Sequence, residues 1–207
     1  YPVHENMGMI WIWVGDPALA DTADIYDLPE YHQDGWGVGF GDALDVDANY
    51  LLLCDNLCDP THVNYVHPST LGNPEGINAP VTFDDKPWGV LTERFTLNSA
   101  PTGFVDAFGS YEGRVDMWQR YLMYTPSVSI IDFGATATGT GSFEGGGEGR
   151  IQVYSCHFMT PITETRTIDR WLHVRNFLAG DASVGDGISD QFRNAFAEDT
   201  IILQAVQ

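Results

Sequence analysis

The sequence predicts an α+β fold, an antiparallel β-sheet closed by one long C-terminal helix. Three observations predict it: apolar, β-branched runs recur from residue 79 to residue 178, turn residues fill the gaps between them, and residues 189–207 carry apolar side chains at three- and four-residue spacing. Consecutive strands joined by short turns pair antiparallel, because a parallel neighbour needs a helical crossover that these gaps cannot hold.

Taken in order, residues 9–14 (Met-Ile-Trp-Ile-Trp-Val) read as a strand entering the turn Gly15-Asp16-Pro17. No partner strand is visible upstream. Residues 21–41 are acidic and rich in aromatics and glycine without periodicity, so they form an irregular connection carrying short elements. Beyond residues 50–67, an apolar strand-like run followed by a polar cluster over 55–67, strands are expected over 79–83, 89–97, 115–124, 127–133, 150–160 and 164–178. Their breaks carry Asp84-Asp85-Lys86-Pro87, Pro126, the glycine-rich stretch 139–149 and Pro161. In the last segment Phe192, Ala195, Phe196, Ile202, Leu203 and Val206 share one face of an amphipathic helix, capped by Ser189 or Asp190.

With 207 residues, 43% of them hydrophobic, the chain can bury one core without disulfides or metal, so a single domain is the default. Cys54, Cys58 and Cys156 are an odd, sparse set that fits free thiols in a reducing compartment. Cys54 and Cys58 have no second pair to complete a zinc ribbon or iron–sulfur ligand set, and read as small buried hydrophobes. The net charge of −20, without any basic stripe, disfavours nucleic acid and anionic lipid as partners. No apolar run approaches membrane-spanning length, and Tyr1-Pro2-Val3-His4-Glu5 lacks the regions of a signal peptide, so a soluble cytoplasmic protein is expected.

The densest polar cluster is residues 55–67, with two histidines and two carboxylates. Asp59 followed by Pro60 can cap a helix, and on that helix Asp59 and His62 face the same side, within reach of each other. His62 and His67 are five apart, about 140° around a regular helix, so they converge only across a π-bulge or where the helix ends between them. Asp199 stands three after Phe196 and three before Ile202, inside the apolar stripe of the last helix. A buried carboxylate needs a cation, hydrogen bonds or a metal. Two imidazoles and one carboxylate can make the facial triad of a non-haem Fe(II) oxygenase, a catalytic zinc site, or a hydrogen-bonded core group.

Residues 56–67, Asn-Leu-Cys-Asp-Pro-Thr-His-Val-Asn-Tyr-Val-His, resemble the Asn-x-x-Asp-x-x-His-x-x-x-x-His motif of Rieske non-haem iron oxygenases, above all the vanillate and dicamba O-demethylase branch. Residues 9–21, ending Trp13-Val14-Gly15-Asp16-Pro17-Ala18-Leu19-Ala20-Asp21, resemble the exit from that family's Rieske domain, and Phe196-Ala197-Glu198-Asp199 resembles its carboxylate helix. The resemblance implies a helix-grip fold (START-like), in which the antiparallel sheet curls around the long C-terminal helix and encloses an apolar cavity. It implies His62, His67 and Asp199 as ligands of a mononuclear Fe(II), Asp59 as the bridge for electrons from a neighbouring subunit's cluster, and Asn56 beside it. His157, in Tyr154-Ser155-Cys156-His157-Phe158, falls where demethylase relatives carry a strand histidine that hydrogen-bonds the substrate carboxylate; its alternative is a satisfied core histidine.

The family's cluster ligands, Cys-x-His followed by Cys-x-x-His, have no counterpart here, so the [2Fe-2S] Rieske cluster is expected in the intact protein and not in this chain. Residues 1–20 are read as the residual end of the Rieske domain and 21–207 as the catalytic domain, a fragment at both ends. The implied activity is a dioxygen-dependent oxygenase acting on a small aromatic compound. The preferred form is O-demethylation, in which a hydroxylated methoxy methyl collapses to formaldehyde and a phenol; ring hydroxylation of the phthalate oxygenase type is the alternative. The implied partners are a reductase or ferredoxin electron donor and two further copies in a homotrimer. Rival readings are a metal-free helix-grip binding module, which has little use for Asp199, and a zinc hydrolase, for which Glu198 points away from the open coordination position.

Overall fold

The computed structural model describes residues 1–144 and 149–207. The expected break over 139–149 therefore falls partly on residues 145–148, outside the described residues. A short hairpin, β1 (Val3–Asn6) and β2 (Met9–Ile12), opens the chain. The expectation that residues 9–14 lack an upstream partner is thus corrected. The turn between these strands is Met7-Gly8, both at positive φ (52° and 70°), the backbone of a tight hairpin turn, and methionine is not a residue that announces one.

The remaining strands are β3 (Gly37–Phe40), β4 (Leu44–Val46), β5 (Val81–Lys86), β6 (Gly89–Ser99), β7 (Val115–Tyr124), β8 (Val128–Ala137), β9 (Ile151–Thr163) and β10 (Arg166–Arg175). They form one antiparallel sheet in the order β3-β10-β9-β8-β7-β6-β5, with β4 also paired to β10. From β5 onward neighbours in space are neighbours in sequence, the meander expected from the short gaps. β5 runs on through Asp84, Asp85 and Lys86, residues expected to break it, because the turn itself lies at the following Pro87 and Trp88. β3 was hidden by its glycines. They are needed because a Cβ at Gly39 would lie 2.3 Å from His173 Nε2, and one at Gly41 just beyond would lie 1.9 Å from the Trp171 ring.

Among the described residues the α-helices are α1 (Tyr50–Asn56), which replaces the strand expected of its apolar run because the Asn49 side chain caps it, α2 (Val63–Val66), α3 (Gly103–Phe108) and α4 (Ala182–Val206). α4 starts seven residues before the expected Ser189, and its cap is Asp181, whose carboxylate accepts from the Ser183 amide at 2.9 Å. Gly185 and Gly187 in its first turns weaken the helical signal by about 1 kcal/mol each, and tertiary packing overrides that cost. Ile188, Phe192 and Phe196 of α4 pack with Phe104 of α3, Val153 of β9 and Trp171 of β10 in one buried cluster. This is the α+β helix-grip arrangement, a large antiparallel sheet held against one long helix. No helix among the described residues is long and apolar enough to cross a membrane.

His173 lies under α4 with its ring fully buried, and its Nε2 is 3.2 Å from both the Gly185 carbonyl and Ser189 Oγ. Burial, then the neighbouring Arg175 cation, pushes its pKa down from 6.5 to about 4. Because the folded-state pKa is depressed, the unfolded chain takes up this proton first as pH falls, and stability drains away between pH 6.5 and 4. The expected loss by pH 4 is up to roughly 3 kcal/mol. In urea titrations a His173→Gln variant should lose stability less steeply across that window, and an unchanged profile would contradict this assignment.

Candidate metal centre

α1 ends at Asn56 and the chain turns through residues 57–62 before α2, so the helix expected to start at Pro60 starts at Val63 instead. The correction has a local cause. The Asp59 carboxylate accepts from the Thr61 amide at 2.7 Å, closing a side-chain turn rather than capping a helix. The expected carboxylate contact to His62 is likewise replaced by a main-chain one, with His62 Nδ1 2.5 Å from the Asp59 carbonyl oxygen. α2 lasts one turn, and His67 leaves it at φ −117° and ψ 48°. A helix that ends between the two histidines is one of the two ways their five-residue spacing can converge, and their rings meet edge-on with centroids 5.3 Å apart.

Asp199 is 7% exposed and faces inward from α4. Its Oδ1 lies 3.1 Å from His67 Nε2 and 3.6 Å from His62 Nε2, and all three candidate ligand atoms fall within 4.8 Å of one another. Two donors about 2.1 Å from one ion and at right angles to each other lie about 3.0 Å apart, so the two carboxylate–imidazole separations suit a shared ion. Asn56 Nδ2 donates to the same Asp199 oxygen at 3.1 Å. The donor set, two imidazole nitrogens and one carboxylate, is of the kind that a facial triad uses.

Each ring is held from behind. The Asp59 carbonyl takes His62 Nδ1, and Glu198 Oε2 takes His67 Nδ1 at 2.7 Å. Both contacts favour a proton on Nδ1 and leave Nε2 as the electron-pair donor. Glu198, which the sequence offers only as a poorly placed general base, thus has a different place: its carboxylate stands behind the His67 ring. Burial, partly countered by Asp199, lowers the pKa of His62. At His67 burial also pulls down, but Asp199 and Glu198 together outweigh it and raise the pKa. The two carboxylates make this point attractive to positive charge. Glu198→Ala is expected to weaken Fe(II) binding roughly 10–100-fold, with Glu198→Gln, which keeps an acceptor, weakened less. Anaerobic competition against a chromogenic chelator measures this, and unchanged affinity in both variants would refute the orienting role.

The three side chains border a cavity of about 80 Å³, several times the roughly 10–15 Å³ that one water needs. Its walls are mainly apolar, with Val63, Leu71, Val105, Met117, Phe133 and Phe192 among them. Arg94, Gln119, Tyr121 and Ser155 are polar exceptions. Burial raises the Tyr121 hydroxyl above its ordinary pKa, which keeps it a neutral donor.

His157 stands one layer behind this wall, fully buried and edge-on to Phe196 at 4.9 Å. Both of its nitrogens are engaged, Nδ1 with Asp169 Oδ2 at 2.7 Å and Nε2 with Ser155 Oγ at 2.9 Å. In this arrangement Ser155, and not His157, borders the cavity. Cys54 and Cys156 are buried and Cys58 is half-buried, all free, with thiol pKa values pushed up chiefly by burial.

Residues 46–207 match the family described as the vanillate O-demethylase oxygenase C-terminal domain. Over its whole length the chain is 33% identical to a putative toluene-4-sulfonate monooxygenase system iron–sulfur subunit of Comamonas testosteroni, covering 61% of that protein. It is 32% identical to a vanillate O-demethylase oxygenase subunit of Pseudomonas sp. (strain ATCC 19151), covering 64% of it. The fold superposes on the crystal structure of dicamba monooxygenase bound to 3,6-dichlorosalicylic acid with a TM-score of 0.89 at 26% identity, over 99% of this chain and 59% of that one. The chain therefore spans about three fifths of the length of these relatives.

Proposed function

Because the chain belongs to the vanillate O-demethylase oxygenase C-terminal domain family, the catalytic domain of Rieske oxygenases of the vanillate and dicamba O-demethylase branch, we propose that it oxygenates a small aromatic compound. The reaction we assign is O-demethylation at a mononuclear Fe(II) held by His62, His67 and Asp199. One observation carries this reading: two imidazole Nε2 atoms and a buried carboxylate converge at the wall of an apolar cavity. A metal-free binding module would have no reason to bury Asp199 between them.

Bound iron would supply dioxygen activation beside the substrate. The chain's own residues supply the rest. Glu198 and the Asp59 carbonyl fix the two imidazoles, and Asn56 holds the Asp199 carboxylate. The apolar wall excludes water from the aromatic ring. Ser155 offers its hydroxyl to the substrate, and His157, anchored by Asp169, holds that hydroxyl in place. Overall, a methoxyarene, dioxygen, two electrons and two protons yield a phenol, formaldehyde and water. The methyl C–H is hydroxylated, and the resulting hemiacetal breaks its C–O bond to release the phenol.

The electrons would come from a [2Fe-2S] Rieske cluster on another part of the intact protein, fed by a reductase or ferredoxin. In a homotrimer, a neighbouring subunit's cluster would dock near Asp59. Residues 1–20 are then the tail of the Rieske domain, and the free thiols support a reducing, cytoplasmic setting. The test uses hydrogen peroxide as a joint source of oxygen and electrons for the Fe(II)-loaded chain, with 4-methoxybenzoate as substrate. Formaldehyde and 4-hydroxybenzoate in equal amounts are expected. A ring-hydroxylated product that keeps its methoxy group would overturn the demethylase assignment.

A further inference from the structure

Arg94 projects from β6 into the wall of the cavity and is 3% exposed. Among the described residues its one hydrogen bond runs from Nη1 to the Pro60 carbonyl oxygen at 2.9 Å, Nε is buried without a partner, and no carboxylate forms an ion pair with it. Shortage of acid is not the reason. The chain holds 29 Asp and Glu against 9 Lys and Arg, and Arg114, Arg120, Arg166 and Arg193 each take a carboxylate partner. A buried guanidinium that keeps its charge without a counter-ion is costly, so a fold that retains one beside a cavity keeps it for an anion that arrives.

The surroundings give that anion an orientation. Gln119 pairs with Arg94 across the β6–β7 ladder, and Thr96 lies two residues along the same face; both line the cavity with it. Phe133 and Phe192 also border the cavity, with ring centroids 6.0 Å apart. One part of the wall is therefore cationic and polar, and another aromatic. The planar guanidinium fork matches a carboxylate or sulfonate, which can accept two parallel N–H bonds.

Resting on the reading of this cavity as the place of an aromatic substrate, we propose that Arg94 is its specificity-determining residue. It receives an anionic oxygen substituent, carboxylate or sulfonate, of a ring that lies against Phe133 and Phe192. Ser155, braced by His157, then contributes a hydroxyl hydrogen bond, and the charge is read by Arg94. A residue that only braced the Pro60 carbonyl near His62 would affect iron loading and all ligands alike.

The test measures calorimetric binding of 4-methoxybenzoate, 4-methoxybenzenesulfonate and neutral 4-methoxybenzamide to the chain and to Arg94→Met and Arg94→Lys. The native chain is expected to bind at least one of the two anions roughly ten- to hundredfold more tightly than the amide. Arg94→Met should bind all three alike, and Arg94→Lys should retain part of the preference. Which anion binds more tightly tells a carboxylate site from a sulfonate site. Equal native affinities, no binding of any probe, or a preference that survives in Arg94→Met would overturn the proposal. Iron loading is followed separately through the nitric oxide adduct. Anion preference without iron would retire the iron reading and leave Arg94 in its role, whereas iron without anion preference would do the reverse.

Discussion

Asp199→Asn is expected to lower Fe(II) affinity by more than about a hundredfold while leaving the fold nearly unchanged. Loss of a residue that only orients a ligand costs 10–100-fold in many metal sites, roughly, and Asp199 is the only anionic member of the ligand set. The substitution removes that charge with almost no change of shape. Asn can still accept from Asn56 Nδ2, so the change to the metal-free chain should stay within about 1 kcal/mol. Competition with a chromogenic chelator under anaerobic conditions reads the affinity, and thermal unfolding of the metal-free chain reads the fold. Iron bound as tightly as by the native chain would remove Asp199 from the ligand set.

Phe192→Ala should cause the largest loss of stability of the substitutions considered. Its ring is 2% exposed and sits among Phe104, Phe133, Trp171, His173 and Phe196, with centroid distances of 5.8 to 6.0 Å. Alanine favours the helix, so the loss is one of packing: about 3–5 kcal/mol, or roughly 6–20 °C in melting temperature. Ile201→Ala is the control, since Ile201 on the outer face of the same helix is 67% exposed and should cost under about 0.5 kcal/mol. Equal effects at the two positions would mean that α4 does not pack as described.

Much of this was legible in the sequence, and the gaps have physical causes. The strands from β5 to β10 announce themselves because each carries β-branched and aromatic residues between strong turn residues. β3 alternates glycine with bulky residues, and those glycines make sense only once His173 and Trp171 are known to lie opposite them. α3 is six residues long, too short for periodicity to register. Asp199 was readable because a carboxylate inside an apolar stripe is an anomaly in one dimension. Glu198 beside it resembles any solvated helix residue, and only the turn after α2 brings His67 onto it. Arg94 looks like an ordinary strand charge next to Glu93, although its register with Thr92 and Thr96 places it on the inner face. The Ser155–His157–Asp169 relay depends on the pairing of β9 with β10, in which Met159 lies opposite Asp169. No spacing within either strand reveals that.

The most direct test of the central claim, that His62, His67 and Asp199 form an open mononuclear iron site, is electron paramagnetic resonance of the nitric oxide adduct after anaerobic Fe(II) loading. The prediction is a high-spin iron–nitrosyl signal at close to one iron per chain, lost in Asp199→Asn. A folded chain that gives no such signal, or a signal of equal strength in the variant, would contradict it.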